Sequence, residues 1–440
     1  MVFGKHILIF SDKNRSFPRT PDLGQSWCRW FKKAVLESAK QIWGAERWIR
    51  KFPDRLFLDP QCKEPFPYSL PPPEEAIVHR IVVAHGAGEA CRRHLGGSGS
   101  FVLMPHLHSA AHYSPLNPEF LPFAVGSLEP AKGFVHVLDD ATLDIILNTL
   151  DTCPDLTQYL LRKEEFVASG RLGFAAGEEN LLAYYLKYVD GEGKHYFRTP
   201  EGFDNLLIED GLWADFSASP DRRAQIAADE VSYCWDRLID RFAHFLLEKE
   251  SYFPTEASLP DQETALRLMA SEPRVVRRML ARDLLTVVDR ADREEWSARH
   301  AKVDRIGSPH YLFLAMQPSP QHSLNEYRKV RYQLLKNYCL VAKGKFALEG
   351  PVVGLATENR SWDGLRSDDL GYIDDSMWGP DAAQEAERVY QELGLLKDVR
   401  GSTVTVHEYP TQHSPQATKG RDRNQPCPCG SGKKRKNCHG

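Results

Sequence analysis

Apolar residues in the first 140 positions occur in short runs that are separated by polar loops. A short apolar run bounded by turn residues is typical of a buried strand, whereas apolar residues three and four positions apart predict a helix. Helical spacing extends from 24 to 50. The strand-like runs lie at 6–12, 55–58, 80–84, 101–104 and 134–138. Residues 1–140 are therefore predicted to form a mixed α/β domain.

Helical spacing dominates the next part of the chain, so residues 141–300 are predicted to form a helical layer or bundle. Its predicted helices are 141–150, 155–168, 178–189, 221–252 and 263–293. Residues 301–409 are predicted to form a second α+β region. Its strand-like runs are 310–316, 352–356 and 402–409, and its predicted helices are 323–338 and 381–395.

The segment 410–420 has the composition of a linker, so residues 421–440 are expected to be a small separate module. The predicted fold class is thus multidomain, with α/β and α+β parts. It comprises an N-terminal mixed α/β domain, a helical middle region, a second α+β region and a small C-terminal knuckle.

The overall composition changes this picture little. The chain has 440 residues, of which 42% are apolar and 26% charged, and a formal net charge of −4. These values are typical of a globular protein and argue against a globally basic nucleic-acid coat, but not against a local basic groove. No apolar run is long enough for a membrane span and no signal peptide is recognisable, so we expect a cytosolic protein. Six scattered cysteines outside the tail fit thiols kept reduced in that compartment.

The last fourteen residues, CPCGSGKKRKNCHG, contain few apolar side chains, so something other than a core must fold them. Cys427 and Cys429 form one pair of potential metal ligands, and Cys438 and His439 form a second. Three thiolates and one imidazole suit a tetrahedral Zn²⁺ ion and leave no open position, which indicates a structural zinc knuckle. A disulfide is the alternative, but a Cys-x-Cys bridge is strained and would leave one cysteine unpaired.

Residues 420–440, GRDRNQPCPCGSGKKRKNCHG, resemble the SEC-C motif. This motif is the zinc-binding tail of the SecA preprotein-translocase ATPase and also ends many otherwise unrelated bacterial proteins. The resemblance implies that Cys427, Cys429, Cys438 and His439 bind zinc and that the module docks protein partners. The chain contains no phosphate-binding G-x-x-x-x-G-K-[ST] sequence, so we do not expect a SecA-type motor.

A second candidate site lies at the end of the first predicted strand. Asp12 could hold a divalent ion, Mg²⁺ or Mn²⁺, against a phosphodiester, and Lys13 could position the attacking water. With the following helix, which carries Glu37 and Gln41, residues 1–60 are similar to PD-(D/E)xK nucleases. Two departures are evident. Ser11 stands where the family has an acid, which directs Asp12 to the other strand face. The family's upstream acidic strand is also missing, which leaves two alternatives: a degenerate site, or a domain truncated at its start. The alternative is an ordinary Asp-Lys turn.

Further polar patterns have structural explanations that we favour. The H-x-H-x3-H pattern of His106, His108 and His112 could bind a metal, but solvated or core histidines are expected. Tryptophans alternate with basic residues around Trp43 and Trp48, a pattern that could bind nucleic acid. We prefer the interpretation that this is an amphipathic helix with a solvated basic face. Paired charges are expected at helix caps and surfaces; they include Arg277-Arg278 and Asp368-Asp369.

The sequence thus predicts a cytosolic multidomain protein whose zinc-binding tail binds a protein, or a nucleic acid. The alternatives are a metal-dependent nuclease that uses the tail for targeting and a purely structural scaffold.

Overall fold

The computed structural model places the chain in two compact units, residues 1–219 and 220–440. The residues that it describes are 1–191, 193–248, 259–303, 308–319, 321–364, 366–397 and 406–410. The predicted knuckle at 421–440, the linker at 410–420 beyond its first residue, and the first part of the strand predicted at 402–409 lie outside these ranges.

The first unit contains two four-stranded sheets and the helices that cover them. Its strands are β1 (Val2–Phe3), β2 (His6–Asn14), β3 (Ile77–His85), β4 (Val102–His108), β5 (Ala124–Ser127), β6 (Val135–Leu138), β7 (Leu172–Ala175) and β8 (Leu206–Ile208). Its α-helices are α1 (Leu23–Phe31), α2 (Glu37–Lys51), α3 (Gly88–Leu95), α4 (Asp140–Thr149), α5 (Cys153–Ala168), α6 (Glu178–Lys187) and α7 (Leu212–Ala218). A π-helix over Lys32–Leu36 joins α1 to α2.

The first sheet has the order β1-β2-β3-β6, in which β2, β3 and β6 are parallel and β1 is an antiparallel edge. Helices cover both of its faces, and β3 accordingly carries four consecutive buried apolar residues, Ile81 to Ala84. Val82 and Ala84 pack against the aromatic side chains of α1, including Trp27. Ile81 and Val83 face a second cluster formed with α4, α5 and α6. Because the three strands are parallel, their carboxyl ends meet at one edge of the sheet.

The second sheet of this unit has the order β5-β4-β7-β8 and mixes parallel with antiparallel pairs. The apolar run predicted as a strand at 55–58 forms only an isolated bridge, between Phe57 and Pro65. Prolines at 60 and 65 lack the N–H groups that a longer ladder requires.

The second unit contains one four-stranded sheet between two helical layers. Its strands are β9 (Trp296–Lys302), β10 (His310–Met316), β11 (Val352–Glu358) and β12 (Asp368–Ile373). Its α-helices are α8 (Pro220–Asp229), α9 (Tyr233–Glu248), α10 (Leu259–Ala270), α11 (Arg274–Arg290), α12 (Leu324–Lys345) and α13 (Pro380–Leu393). The order is β12-β11-β10-β9, and only β10 and β11 are parallel among these strands.

Strand β10 shows why this sheet is buried on both faces. Tyr311 and Phe313 pack into a core with Trp235 of α9 and neighbouring helices. Leu312 and Leu314 alternate with them and pack on the opposite face, against α12. The sequence pattern predicts this strand with the same ends as the structure.

The structure confirms the predicted fold class, multidomain with mixed α/β sheets, for the described residues. The division between the units, after residue 219, falls inside the segment 141–300. Within that segment, α4, α5 and α6 contribute to the core on the first sheet, whereas α9, α10 and α11 contribute to the core of the second unit. None of the helices in the described ranges is long and apolar enough to cross a membrane.

Candidate functional site

The first predicted site, Asp12 and Lys13, lies near the carboxyl end of β2, but the two side chains are not brought together. Lys13 Nζ lies 3.8 Å from Glu37 Oε2, on the face covered by α2. Asp12 Oδ1 lies 3.1 Å from Nε2 of His85, on the opposite face. This is the alternation of a regular strand, as the departure at Ser11 predicts. The catalytic roles assigned to these two residues from the sequence stay predictions.

His85 instead connects two carboxylates at the carboxyl edge of the first sheet. Its Nδ1 lies 2.6 Å from Oδ1 of Asp140, and its Nε2 faces Asp12. Asp140 also accepts a hydrogen bond of 3.0 Å from the Gly86 N–H through Oδ2. Asp12 and His85 lie in the last residues of β2 and β3, Asp140 follows β6, and the parallel register of the three strands brings these ends together. Of these three residues, only Asp12 is predicted as a site residue from the sequence. The signal that links it to the other two is a polar residue at or just after the end of each of three apolar strands.

A tight turn fixes the position of His85. Gly86 has φ +101°, and a Cβ atom at this position would lie 2.3 Å from the carbonyl oxygen of Arg15. The same carbonyl accepts a hydrogen bond of 2.8 Å from the indole of Trp30, and the Arg15 N–H donates to the His85 carbonyl at 3.2 Å. The segment after β2 is thus held against the turn after β3, and only glycine fits at position 86 without strain.

A buried acidic layer lies next to this edge. Asp139 is the N-cap of α4 and accepts hydrogen bonds from the Ala141, Thr142 and Phe101 N–H groups. Burial raises the pKa of Asp139 to about 6. Glu179 accepts hydrogen bonds from the hydroxyls of Ser98 and Ser100, and burial raises its pKa as well. These carboxylates join α4, α6 and the glycine-rich loop before β4.

The geometry allows His85 to carry a proton between two carboxylates, with Asp140 orienting the ring through Nδ1. His85 and Asp12 could also offer one nitrogen and one oxygen to a cation, with Asp140 as an outer partner. No group of three or more histidine, cysteine or acidic side chains in the described part of the chain could hold a metal ion.

The H-x-H-x3-H pattern does not form a metal site. His112 is buried, its Nε2 accepts the Gly126 N–H at 2.9 Å, and its Nδ1 lies 3.0 Å from the Ser109 carbonyl. Both ring nitrogens are therefore used by the backbone, and burial lowers the pKa of this histidine to about 4. His112 is a structural residue of the loop between β4 and β5.

The predicted zinc ligands Cys427, Cys429, Cys438 and His439 lie outside the described residues, so their arrangement stays a prediction. Free thiols among the described residues are those of Cys28, Cys62, Cys91, Cys234 and Cys339.

Comparison with known proteins bears on the tail and on a limited part of the chain. The SEC-C motif model matches residues 423–440. Protein translocase subunit SecA 1 of Nitrosospira multiformis is 50% identical over 150 residues, which cover 33% of this chain and 15% of that protein. The chain thus matches less than a sixth of the length of this relative. No solved structure matches the chain. The SEC-C motif is a zinc-binding module, and residues 423–440 of this chain are similar to it.

Proposed function

We propose that the protein uses a zinc-folded C-terminal tail to dock a protein partner. The observation that carries the proposal is the SEC-C match at residues 423–440, which contain all four predicted ligands. Cys427, Cys429, Cys438 and His439 would complete a tetrahedral shell without an open position. Such an ion builds a surface and performs no chemistry.

The charge of the tail suggests what this surface recognises. Three thiolates bound to one Zn²⁺ leave a net negative centre, and four consecutive cations from Lys433 to Lys436 surround it with positive charge. A compact basic knuckle is suited to an acidic face of a partner protein, because complementary charges steer association and orient the complex. The translocase motor activity is not part of the proposal, since the chain covers 15% of that relative.

We place the protein in the cytosol. The thiols at positions 28, 62, 91, 234 and 339 are free, including that of the exposed Cys62, which fits a reducing compartment. In the same compartment, cysteines clustered at metal-ligand spacing remain available as thiolates for zinc.

Quantitative affinity capture from a cytosolic extract tests the docking role. The full-length wild type is compared with Cys427→Ser/Cys429→Ser, which removes half of the zinc shell, and with Cys62→Ser, which removes an exposed cysteine elsewhere. We expect at least one protein to be retained by the wild type and the Cys62 variant and lost by the zinc variant. Once purified, that protein must bind the wild type directly. Equal capture by all three forms would contradict the proposal.

A metal-dependent nuclease is the second candidate function. The observation that favours it is the meeting of Asp12, His85 and Asp140 at the carboxyl edge of a parallel sheet, where α/β proteins bind ligands. Mg²⁺ or Mn²⁺ would be the cofactor, with Asp12 as a ligand. The role predicted for Lys13 is not part of this candidate function, because its side chain lies near Glu37 on the other face of β2. The test is Mn²⁺-dependent cleavage of DNA and RNA by the wild type, Asp12→Ala and the exposed control Asp54→Ala. Cleavage lost only in Asp12→Ala supports this function, and cleavage that persists in that variant contradicts it.

A further inference from the structure

A strongly basic cleft lies along helix α2 of the first unit, away from the residues used above. Its volume is about 620 Å³, within the range of small-ligand sites. Five of its seven lining residues are cations: Lys40, Arg47, Arg50, Lys51 and Lys132. Trp43 and Glu46 complete the lining.

The one acidic side chain of the cleft is already neutralised. Glu46 is 9% exposed and accepts two hydrogen bonds of 2.6 Å from Arg80 and one of 3.0 Å from Arg50. Arg50 also donates to the Pro73 carbonyl at 2.9 Å. The remaining cations form no salt bridge with any described residue; they are Lys40, Arg47, Lys51 and Lys132. Four unpaired like charges around one concavity repel each other, and a bound anion would relieve that repulsion.

Aromatic side chains accompany these cations. Lys132 Nζ lies 4.6 Å from the ring centre of Trp43, and the buried indole N–H of Trp43 has no hydrogen-bond acceptor in the described structure. Trp48, one helical turn from Lys51, is 47% exposed and packs against Phe52 with ring centres 4.7 Å apart. Trp48 does not line the cleft but lies beside it on the same helix, and its indole N–H donates to the Arg55 carbonyl at 3.2 Å. A half-exposed aromatic ring next to a row of cations is typical of surfaces on which nucleic-acid bases stack.

We propose that this cleft binds single-stranded nucleic acid, with its cations on the phosphates and Trp48 against a base. Lys40 and Lys51 are eleven residues apart on one helix, about 17 Å along its axis, so the row is longer than one phosphate group and suits a linear polyanion. An exposed aromatic ring favours a nucleic acid over an acidic peptide, because each base presents a stacking face. The inference is independent of the zinc-dependent docking function.

Fluorescence anisotropy with labelled dT20 and the full-length protein, without added divalent metal, tests this proposal. Arg47→Gln/Lys51→Gln removes two cations from the cleft. Lys433→Gln/Lys434→Gln makes the same charge change in the tail and is the matched control. For two lost phosphate contacts we expect affinity at 0.1 M salt to fall on the order of tenfold, and the slope of log K against log salt to become shallower by about 1.4. Trp48→Ala should weaken binding by about fivefold or more without changing that slope.

Three results would overturn the proposal. The first is absence of dT20 binding by the wild type at tens of micromolar protein and low salt. The second is loss of binding in the tail variant but not in the cleft variant, which would assign the binding to the tail. The third is competition by poly-glutamate as effective as that by unlabelled dT20, together with no effect of Trp48→Ala, which would make the cleft a site for acidic proteins. Circular dichroism and thermal melting of each variant check that it folds.

Discussion

Replacing Arg331 by methionine should destabilise the second unit strongly. Arg331 lies on α12, is fully buried, and donates to Asp369 Oδ2 at 2.7 Å and to Glu358 Oε1 at 2.7 Å. Its remaining Nη2 group donates to the Ser367 hydroxyl at 2.9 Å. Both carboxylates have no exposed surface, so water cannot replace the lost guanidinium.

The expected loss of stability follows from the hydrogen-bond partners that Asp369 and Glu358 keep in the variant. Asp369 keeps Arg328 at 2.9 Å, whereas Glu358 keeps, among the described residues, only the hydroxyl and N–H of Ser367. Methionine fills most of the volume, so the main cost is one uncompensated buried negative charge. Removing one partner from such a buried ion pair costs about 3–5 kcal/mol. We expect the free energy of unfolding of the second unit to fall by about this amount.

Urea unfolding followed by tryptophan fluorescence and circular dichroism measures the change, and Arg388→Met is the matched control. Arg388 also binds two carboxylates, those of Glu385 and Glu392, but its side chain is 54% exposed. The control should lose little stability, because solvent screens these ion pairs. If the two variants lose equal stability, or Arg331→Met loses less than about 1 kcal/mol, the reasoning from burial is refuted.

Three other changes test the first unit and the tail. Burial raises the pKa of Asp139 from 3.8 to about 6, so its contribution to stability is complete below about pH 4 and is lost as pH rises through 6. The free energy of unfolding of Asp139→Asn, measured with urea, should rise relative to that of the wild type by up to about 3 kcal/mol between pH 4 and pH 7. A difference between the two proteins that does not change with pH would contradict this. Gly86→Ala should lower the free energy of unfolding by about 1–3 kcal/mol in the same assay, because the new Cβ would lie 2.3 Å from the Arg15 carbonyl oxygen. The control Gly44→Ala has open space around the new Cβ and should not destabilise the protein. Cys429→Ser should leave the melting temperature of both units nearly unchanged in calorimetry; a large fall would refute a tethered tail.

Features set by local sequence were predictable. Strand β10 has the predicted ends because its apolar run is bounded by polar and turn residues, and β2 and α12 begin within one residue of their predicted starts. The metal-ligand spacing in the tail is equally local, which is why the sequence alone finds the SEC-C resemblance.

Features that depend on distant residues were not predictable. His85 meets Asp12 and Asp140 only through the register of parallel strands, and the partners are 73 and 55 positions away in the chain. The paired charges expected at caps and surfaces include residues that are buried instead: Arg278 is 1% exposed and bonds Asp229, and Asp369 has no exposure. A charge is buried where a distant partner offsets its desolvation, and a single sequence does not reveal that partner.

The zinc content of the purified full-length protein tests the central claim most directly. Elemental analysis of the wild type, Cys427→Ser/Cys429→Ser and the control Cys62→Ser should give one zinc ion per chain in the wild type and the control, and close to none in the double variant. Absence of zinc from the wild type, or undiminished zinc in the double variant, would contradict a zinc-folded C-terminal docking module.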